Sequence, residues 1–273
     1  MLSIVLMPLI KHLKRLKRVG IQHVKLSDTS KVTESDDFAS EQALDAATIN
    51  VTINLPPPPV VTIEGTTKEE QYQALKARIL SCPVCNAHVK PGKKVVVGSG
   101  NLDSKLFFCG EAPGGEEEVV GEVFVGKAGQ LLVKIIQAMG LQRSDVYIGN
   151  IMNWRPEMPT AVGNRPPTQQ EMEFCLPYLK AQVKIVQPEV IIALGATAVH
   201  GLLGHDSSRR MGQVRGNWFS FENTPLLITF HPSYLLRNNT NAMKRVVWED
   251  ILKVMERTHI PISEKQMQFF KDN

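Results

Sequence analysis

Several short segments of this chain concentrate residues able to do chemistry. Gly110-Glu111-Ala112-Pro113-Gly114 sets a carboxylate inside a tight Gly/Pro turn. Such a turn exposes backbone N–H groups to a ligand, while Glu111 can orient a water or face developing positive charge. Asn150, in Tyr147-Ile148-Gly149-Asn150, offers an acceptor and two donors, which suit the edge of an amide-like ring. Phe124 lies a few residues past the Gly/Pro turn and can stack on a flat base. His231 opens His231-Pro232-Ser233-Tyr234-Leu235-Leu236-Arg237, where an imidazole can donate to an oxygen that gains negative charge. Leu235, Leu236 and Arg237 on an exposed loop would put an apolar wedge beside a phosphate contact. Each has an ordinary alternative: a connector Glu, a turn Asn, a core Phe, a buried His, and a helix starting at Ser233 with core leucines.

The spacing of apolar residues predicts the elements that position these groups. Lys105–Cys109, Asp145–Ile151, Glu189–Leu194 and Thr224–Phe230 read as strands. Lys68–Leu80, with Tyr72, Leu75, Ile79 and Leu80 on one side, reads as a helix, as do Ala128–Met139, Thr168–Val186, Ala196–Leu203 and Met243–Arg257. Thr168 followed by Glu171 is a capping-box pattern. Strands that alternate with helices and are apolar throughout predict an α/β fold, a three-layer αβα arrangement around a mostly parallel four-stranded sheet. In such sheets sites form at the carboxyl ends of strands, where the turn after Cys109, Asn150 and His231 all fall.

The chain has 273 residues, a formal net charge of +4, 43% hydrophobic and 21% charged residues, which excludes a wholly disordered polypeptide. Arg209, Arg210, Arg215, Arg237, Lys244 and Arg245 gather in the second half and favour an anionic partner. The apolar stretch from Leu2 to Ile10 is shorter than the about 20 residues of a membrane span, and its basic run follows it, unlike a signal peptide. Residues 1–66, ending in Pro56-Pro57-Pro58-Pro59, read as a poorly ordered basic and Pro-rich extension and linker. Residues 67–260 read as the catalytic domain and 261–273 as a tail. The expected compartment is the cytoplasm, bacterial cytosol or nucleoid, with an organelle address as the alternative use of the basic segment. Cys82-Pro-Val-Cys85, with Cys109 and Cys175, does not suggest a disulfide scaffold; the Cys-x-x-Cys pair reads as half of a metal or cluster site, or as a redox pair.

Together these segments resemble the uracil-DNA glycosylase superfamily, most closely its family-4 type, over about Leu80 to Arg257. The resemblance rests on Gly110-Glu111-Ala112-Pro113-Gly114 with Glu116-Glu117-Glu118, on Phe124-Val125-Gly126-Lys127-Ala128-Gly129-Gln130-Leu131-Leu132, on Val146-Tyr147-Ile148-Gly149-Asn150, on Asn164-Arg165-Pro166-Pro167, and on His231 to Arg237. It implies that Glu111 lies in the water-activating motif, with Gly110 and Ala112 bordering the base. It further implies that Phe124 stacks on flipped uracil, that Asn150 reads its edge, and that His231 stabilises its oxygen. Ser233, Leu235, Leu236 and Arg237 would belong to the loop that enters DNA, and Asn164 matches an Asn near the catalytic cleft. Family-4 enzymes hold a [4Fe–4S] cluster with four cysteines; Cys82, Cys85 and Cys175 match three, and Trp154 stands at the other place. Trp cannot ligate iron, and residues 157–163 form a longer connector than usual, so the reading favours a site without a cluster and a chemistry that needs no cofactor.

The expected function is hydrolysis of the uracil N-glycosidic bond in single-stranded or U·G-mismatched DNA by a monomer, leaving an abasic site. The alternative is a superfamily member that binds damaged DNA or excises another deaminated base such as hypoxanthine.

Overall fold

The computed structural model describes residues 54–157 and 165–271. Most of the expected N-terminal extension, Asn164, and nearly all of the 157–163 connector lie outside these residues. Among the described residues, no helix is long and apolar enough to cross a membrane.

Thr67 and Glu70 close a capping box at the start of helix α1 (Lys68–Leu80), which buries Tyr72, Leu75 and Ile79; Leu80 turns outward instead of joining them. The short helix α2 (Pro83–Ala87) begins at Cys82 with Pro83 in its first position. Strands β1 (Ser99–Gly100) and β2 (Leu106–Gly110) follow, then helices α3 (Glu117–Val120) and α4 (Lys127–Ala138) and strand β3 (Tyr147–Asn150). Helix α5 (Gln169–Val186) carries the predicted Thr168–Glu171 capping box. The buried Glu171 carboxylate also accepts from Arg165 Nη1 and Nη2 at 2.6 and 2.8 Å, which pins the end of the connector to this helix. Strand β4 (Val190–Leu194) runs straight into helix α6 (Gly195–Leu203), and helix α7 (Met211–Val214) precedes strands β5 (Trp218–Phe221) and β6 (Thr224–Thr229). The chain then forms helices α8 (Pro232–Arg237), α9 (Asn241–Arg257) and α10 (Glu264–Met267).

The sheet order is β1-β3-β2-β4-β6-β5. The central four strands are parallel and are the four that periodicity predicts. The sheet nevertheless has six strands, because β1 and β5 add antiparallel edges. Neither edge carries a readable pattern. β1 is two residues long, and β5 exposes Phe219 and Ser220 in succession. β5 and β6 form a hairpin whose turn residues, Glu222 and Asn223, both adopt positive φ (47° and 63°); this is the primed geometry that matches strand twist, here without the usual glycine.

Alternation along the central strands divides two faces. Leu106, Phe108, Ile148, Ile192 and Leu227 face a core shared with Leu132 and Ile136 of α4 and Trp248, Ile251 and Val254 of α9. On the other face Phe107 packs on Tyr147 with ring centroids 4.9 Å apart, and the Tyr147 hydroxyl donates to Gln182 Oε1 of α5 at 3.0 Å. The result is the expected three-layer arrangement. The residues expected as a C-terminal tail include α10. Trp248 Nε1 donates to the Gln266 carbonyl, and Gln266 Nε2 donates to the Ala138 carbonyl, each at 2.7 Å, which ties this segment across α4 and α9.

Candidate active site

Parallel pairing sets Gly110 beside Asn150 at the ends of β2 and β3. The ladder continues one step further: Ile151 N donates to the Gly110 carbonyl and Met152 N to the Glu111 carbonyl, both at 3.0 Å. A Cβ at residue 110 would lie 2.5 Å from Asn150 Oδ1 and 2.6 Å from Phe124 Cζ. Only glycine therefore lets the amide and the ring close over this backbone. Phe124 itself has φ 54°, a left-handed conformation that costs a non-glycine residue roughly 1–2 kcal/mol. Glu117 Oε1 accepts from Val125 N and Gly126 N at 3.1 and 2.9 Å and holds this segment at the start of α4. The half-buried Phe124 ring lies 5.7 Å from that of His231, tilted by 36°. Gly195, with φ 84°, is the other close approach, since a Cβ there would come within 2.9 Å of His231 Cβ. Two residues further along α6, Thr197 hydrogen-bonds Glu111. The ends of β2, β3, β4 and β6 thus bring Glu111, Phe124, Asn150 and His231 together through a chain of direct neighbours. Ala112, half-buried, continues the turn beyond Glu111.

The electrostatics of these groups follow from burial. The Glu111 carboxyl is pushed above its ordinary value, and the Thr197 hydroxyl partly offsets this by favouring the anion. Burial, with a smaller contribution from the Arg237 charge, pushes His231 down to about 4, so its imidazole is neutral near pH 7. Ser233 N donates to His231 Nδ1 at 3.1 Å. A backbone N–H can only donate, so the neutral ring carries its proton on Nε2 and is a hydrogen-bond donor there. Asn150 is buried and its Oδ1 has no partner, a state that costs about 1–3 kcal/mol unless a ligand answers it.

The segment after His231 departs from the expected wedge. Residues 232–237 form helix α8, and neighbouring positions on a helix point in different directions. Leu235 is 5% exposed and belongs to the core, whereas Leu236 is 46% exposed. Ser233 is half-buried and caps the turn through its hydrogen bonds to His231, and Arg237 is exposed. The basic group is also thinner than the sequence implies. Arg215 is bound to the buried Asp250 carboxylate, with Nε at 3.0 Å from Oδ2 and a second bond from Nη2 to Oδ1, and Arg245 pairs with Glu249 at 2.9 Å.

Sequence reasoning did not single out Thr197, Gly195 or Glu117 as site residues. Gly195 had a visible signal, directly after an apolar strand. The contact of Thr197 with Glu111 arises from the sheet order alone, because β4 is beside β2.

The cysteines form a second group. Cys82, Cys85 and Cys175 are buried, and hydrogen bonding to the Cys175 thiol together with burial holds the Cys85 thiol well above its ordinary range. Tyr178 hydrogen-bonds Cys82. Trp154 is fully buried and stacks on His88 with centroids 4.9 Å apart and planes at 27°. Both rings carry an orphaned atom, Trp154 Nε1 and His88 Nε2. An indole N–H has no lone pair to give a metal; an imidazole Nε2 whose ring proton sits on Nδ1 does. Among the described residues, no three His, Cys, Asp or Glu groups are drawn around a single metal ion. Cys82, Cys85 and Cys175 with Trp154 offer three thiols and an indole, one ligand short of the four that a [4Fe–4S] cluster takes, so the residues present do not complete that site.

The model of the Uracil DNA glycosylase superfamily matches residues 97–252. A Type-4 uracil-DNA glycosylase from Thermotoga maritima is 43% identical over 189 residues, 68% of this chain and 94% of that protein. Proteins of the same name from Pyrobaculum aerophilum and Archaeoglobus fulgidus are 38% and 35% identical over 172 and 173 residues, covering 60% and 61% of this chain and 84% of each relative. With over half its length matched by that family and a relative covered almost end to end, the chain belongs to the uracil DNA glycosylase superfamily.

Proposed function

We propose that this protein is a uracil-DNA glycosylase that hydrolyses the bond between uracil and deoxyribose and leaves an abasic site in DNA. The observation that carries this reading is the buried, unpartnered Asn150 Oδ1 beside the Phe124 ring, with His231 beyond the ring. A flat base that brings an N–H and an adjacent carbonyl to an amide, and a second carbonyl to an imidazole N–H, answers this set. Uracil has that edge.

The DNA substrate must first turn the nucleotide out of its stack, at a cost of a few kcal/mol that a U·G mismatch lowers. The exposed Leu236 and Arg237 stand beside the site, suited to fill the gap and to meet a phosphate. Phe124 stacks on the base, and the Asn150 amide bonds its polar edge. As the C1′–N1 bond breaks, its electron pair moves onto the uracil ring, and the His231 Nε2–H donates to the oxygen that becomes negative. Positive charge develops at C1′. Glu111 orients a water, which forms the new C1′–O bond and passes its proton to the carboxylate. Uracil takes up a proton as it leaves. Hydrolysis uses these side chains and water, and one chain supplies all of them, so a monomer suffices.

The experiment is uracil release by the purified full chain from uracil-containing oligonucleotides, single-stranded and U·G-mismatched. Free uracil and an alkali-labile site are expected from at least one. No release from either overturns the reading, and release of hypoxanthine instead of uracil moves it to a different deaminated base.

A further inference from the structure

An apolar groove of about 400 Å³ runs between α4, α8, α9 and the C-terminal segment. From α4 it is lined by Leu131, Lys134 and Ile135, which share one helical face, and α4 begins beside Phe124. The groove therefore opens one helical turn into α4 and leads away from the candidate active site. Leu236 and Phe270 are its exposed large apolar side chains. The charged side chains that line it, Lys134 and Lys244, are both basic.

Phe270 is held there against its backbone preference, at φ 60° in the left-handed region. Arg245 Nη1 donates to the Met267 and Phe269 carbonyls at 2.9 and 3.0 Å, and Phe269 packs on Trp248 with ring centroids 5.3 Å apart. Lys244 Nζ stands 5.9 Å from the centroid of the Phe270 ring. An exposed flat ring beside a cation, at an apolar groove, offers a face to an unstacked base and a charge to its phosphate.

We propose that this groove receives the base opposite the uracil in duplex DNA, stacked on Phe270, with Lys134 and Lys244 meeting the phosphates of that strand. This rests on the reading above that Leu236 fills the gap behind the flipped uracil. The base opposite then has a leucine where its pairing partner stood. The groove is lined by that same leucine, so the unpaired base gains an apolar wall and an aromatic face instead of water. Charge complementarity favours this occupant. An apolar protein segment would use the walls of the groove and leave both lysines without a counter-charge.

The test is equilibrium binding of the full chain to three oligonucleotides: a single strand carrying uracil, a U·G duplex, and the same duplex with no base opposite the uracil. A fluorine on C2′ of the uracil nucleotide withdraws electrons from C1′ and keeps the glycosidic bond intact, so binding is read without turnover. Phe270→Ala should weaken binding to the U·G duplex about 10-fold, the worth of one base–aromatic stack, and change the other two by less than about twofold. Phe270→Tyr, which keeps the flat ring, should bind as wild type does. Lys134→Ala and Lys244→Ala should each flatten the slope of log affinity against log salt on the duplex by about 0.9. Should Phe270→Ala fail to fold, the wild-type chain still decides: thioguanine placed opposite the uracil should photocrosslink to the peptide that contains Phe270. Crosslinks confined to other peptides overturn the proposal. Equal weakening on all three oligonucleotides also overturns it, because the ring then serves the uracil strand. Weakening on none overturns it as well and leaves the groove to an apolar protein segment. None of these readouts uses uracil release, so this inference and the proposed function fail separately.

Discussion

The edge of the Phe124 ring lies over the Cα of Gly110, so close that a single added carbon would sit 2.6 Å from it. The same carbon would meet Asn150 Oδ1 at 2.5 Å. One methyl group therefore displaces both the stacking ring and the reading amide. Gly110→Ala should lower uracil release about 10²-fold, the scale of loss that follows a displacement of about 1 Å in a catalytic site. Overpacking should cost about 1–3 kcal/mol of stability, which leaves a folded protein. Single-turnover release and a thermal melt check the two parts, and an alanine variant with wild-type rates would contradict the geometry.

Much of this site is legible in sequence for a physical reason. Strands buried on both faces must be apolar throughout, so the four central strands stand out, and the polar or Gly/Pro residues that stop them mark the strand ends. The edges do not stand out, because a strand such as Trp218–Phe221, half exposed and paired on one side, needs no such run. Leu235 and Leu236 look alike in sequence; only the helical turn between them makes one core and the other surface. Asn150 and His231 are visible as residue types, but the neutral state of His231 depends on burial that no local pattern encodes.

The Glu111 carboxyl is held above its ordinary value of 4.5 by burial, and the Thr197 bond opposes that shift. Only the anion can take a proton from water, so release should rise with pH along a limb above the ordinary carboxylate range. Thr197→Val removes a donor to the anion and should move this limb to higher pH. A group whose folded pKa is raised contributes stability below its unfolded pKa and loses it as pH rises through the folded value. Glu111→Gln should therefore melt higher than wild type at neutral pH, the difference shrinking below about pH 4.5, while its release falls steeply. A pH–rate profile and melts across this range measure both. A limb unmoved by Thr197→Val would remove Glu111 from the proton transfer.

His231 shifts in the other direction, from 6.5 to about 4. Its folded site rejects the proton that the unfolded chain accepts. The stability this gives is complete above pH 6.5 and falls as the pH drops from there toward 4. His231→Asn keeps a side-chain acceptor for the Ser233 N–H but cannot titrate, so its melting temperature should fall less over that window. His231→Ala should lower uracil release about 10²-fold or more, as loss of one donor to a developing anion does. The Ala variant should lose rate at pH 7 and pH 8 alike, because the wild-type ring is neutral throughout. A loss confined to acid pH would assign the ring a charged role instead.

Leu235 and Leu236 are adjacent in α8 yet separate two kinds of work. Leu235 packs in the core, so Leu235→Ala leaves a cavity and should cost about 2–5 kcal/mol of stability, lowering release from every substrate to the extent that folded protein is lost. Leu236 is largely exposed beside Arg237, and its truncation should leave the folding stability within about 0.5 kcal/mol of wild type. Its effect should appear only where a base must be drawn from a stack. A duplex closes the gap behind the flipped nucleotide unless something fills it, whereas a single strand presents no such gap. Leu236→Ala should therefore slow release from U·G duplex more than from single-stranded DNA. Equal losses on both substrates would mean that Leu236 touches the nucleotide itself and not the stack it leaves.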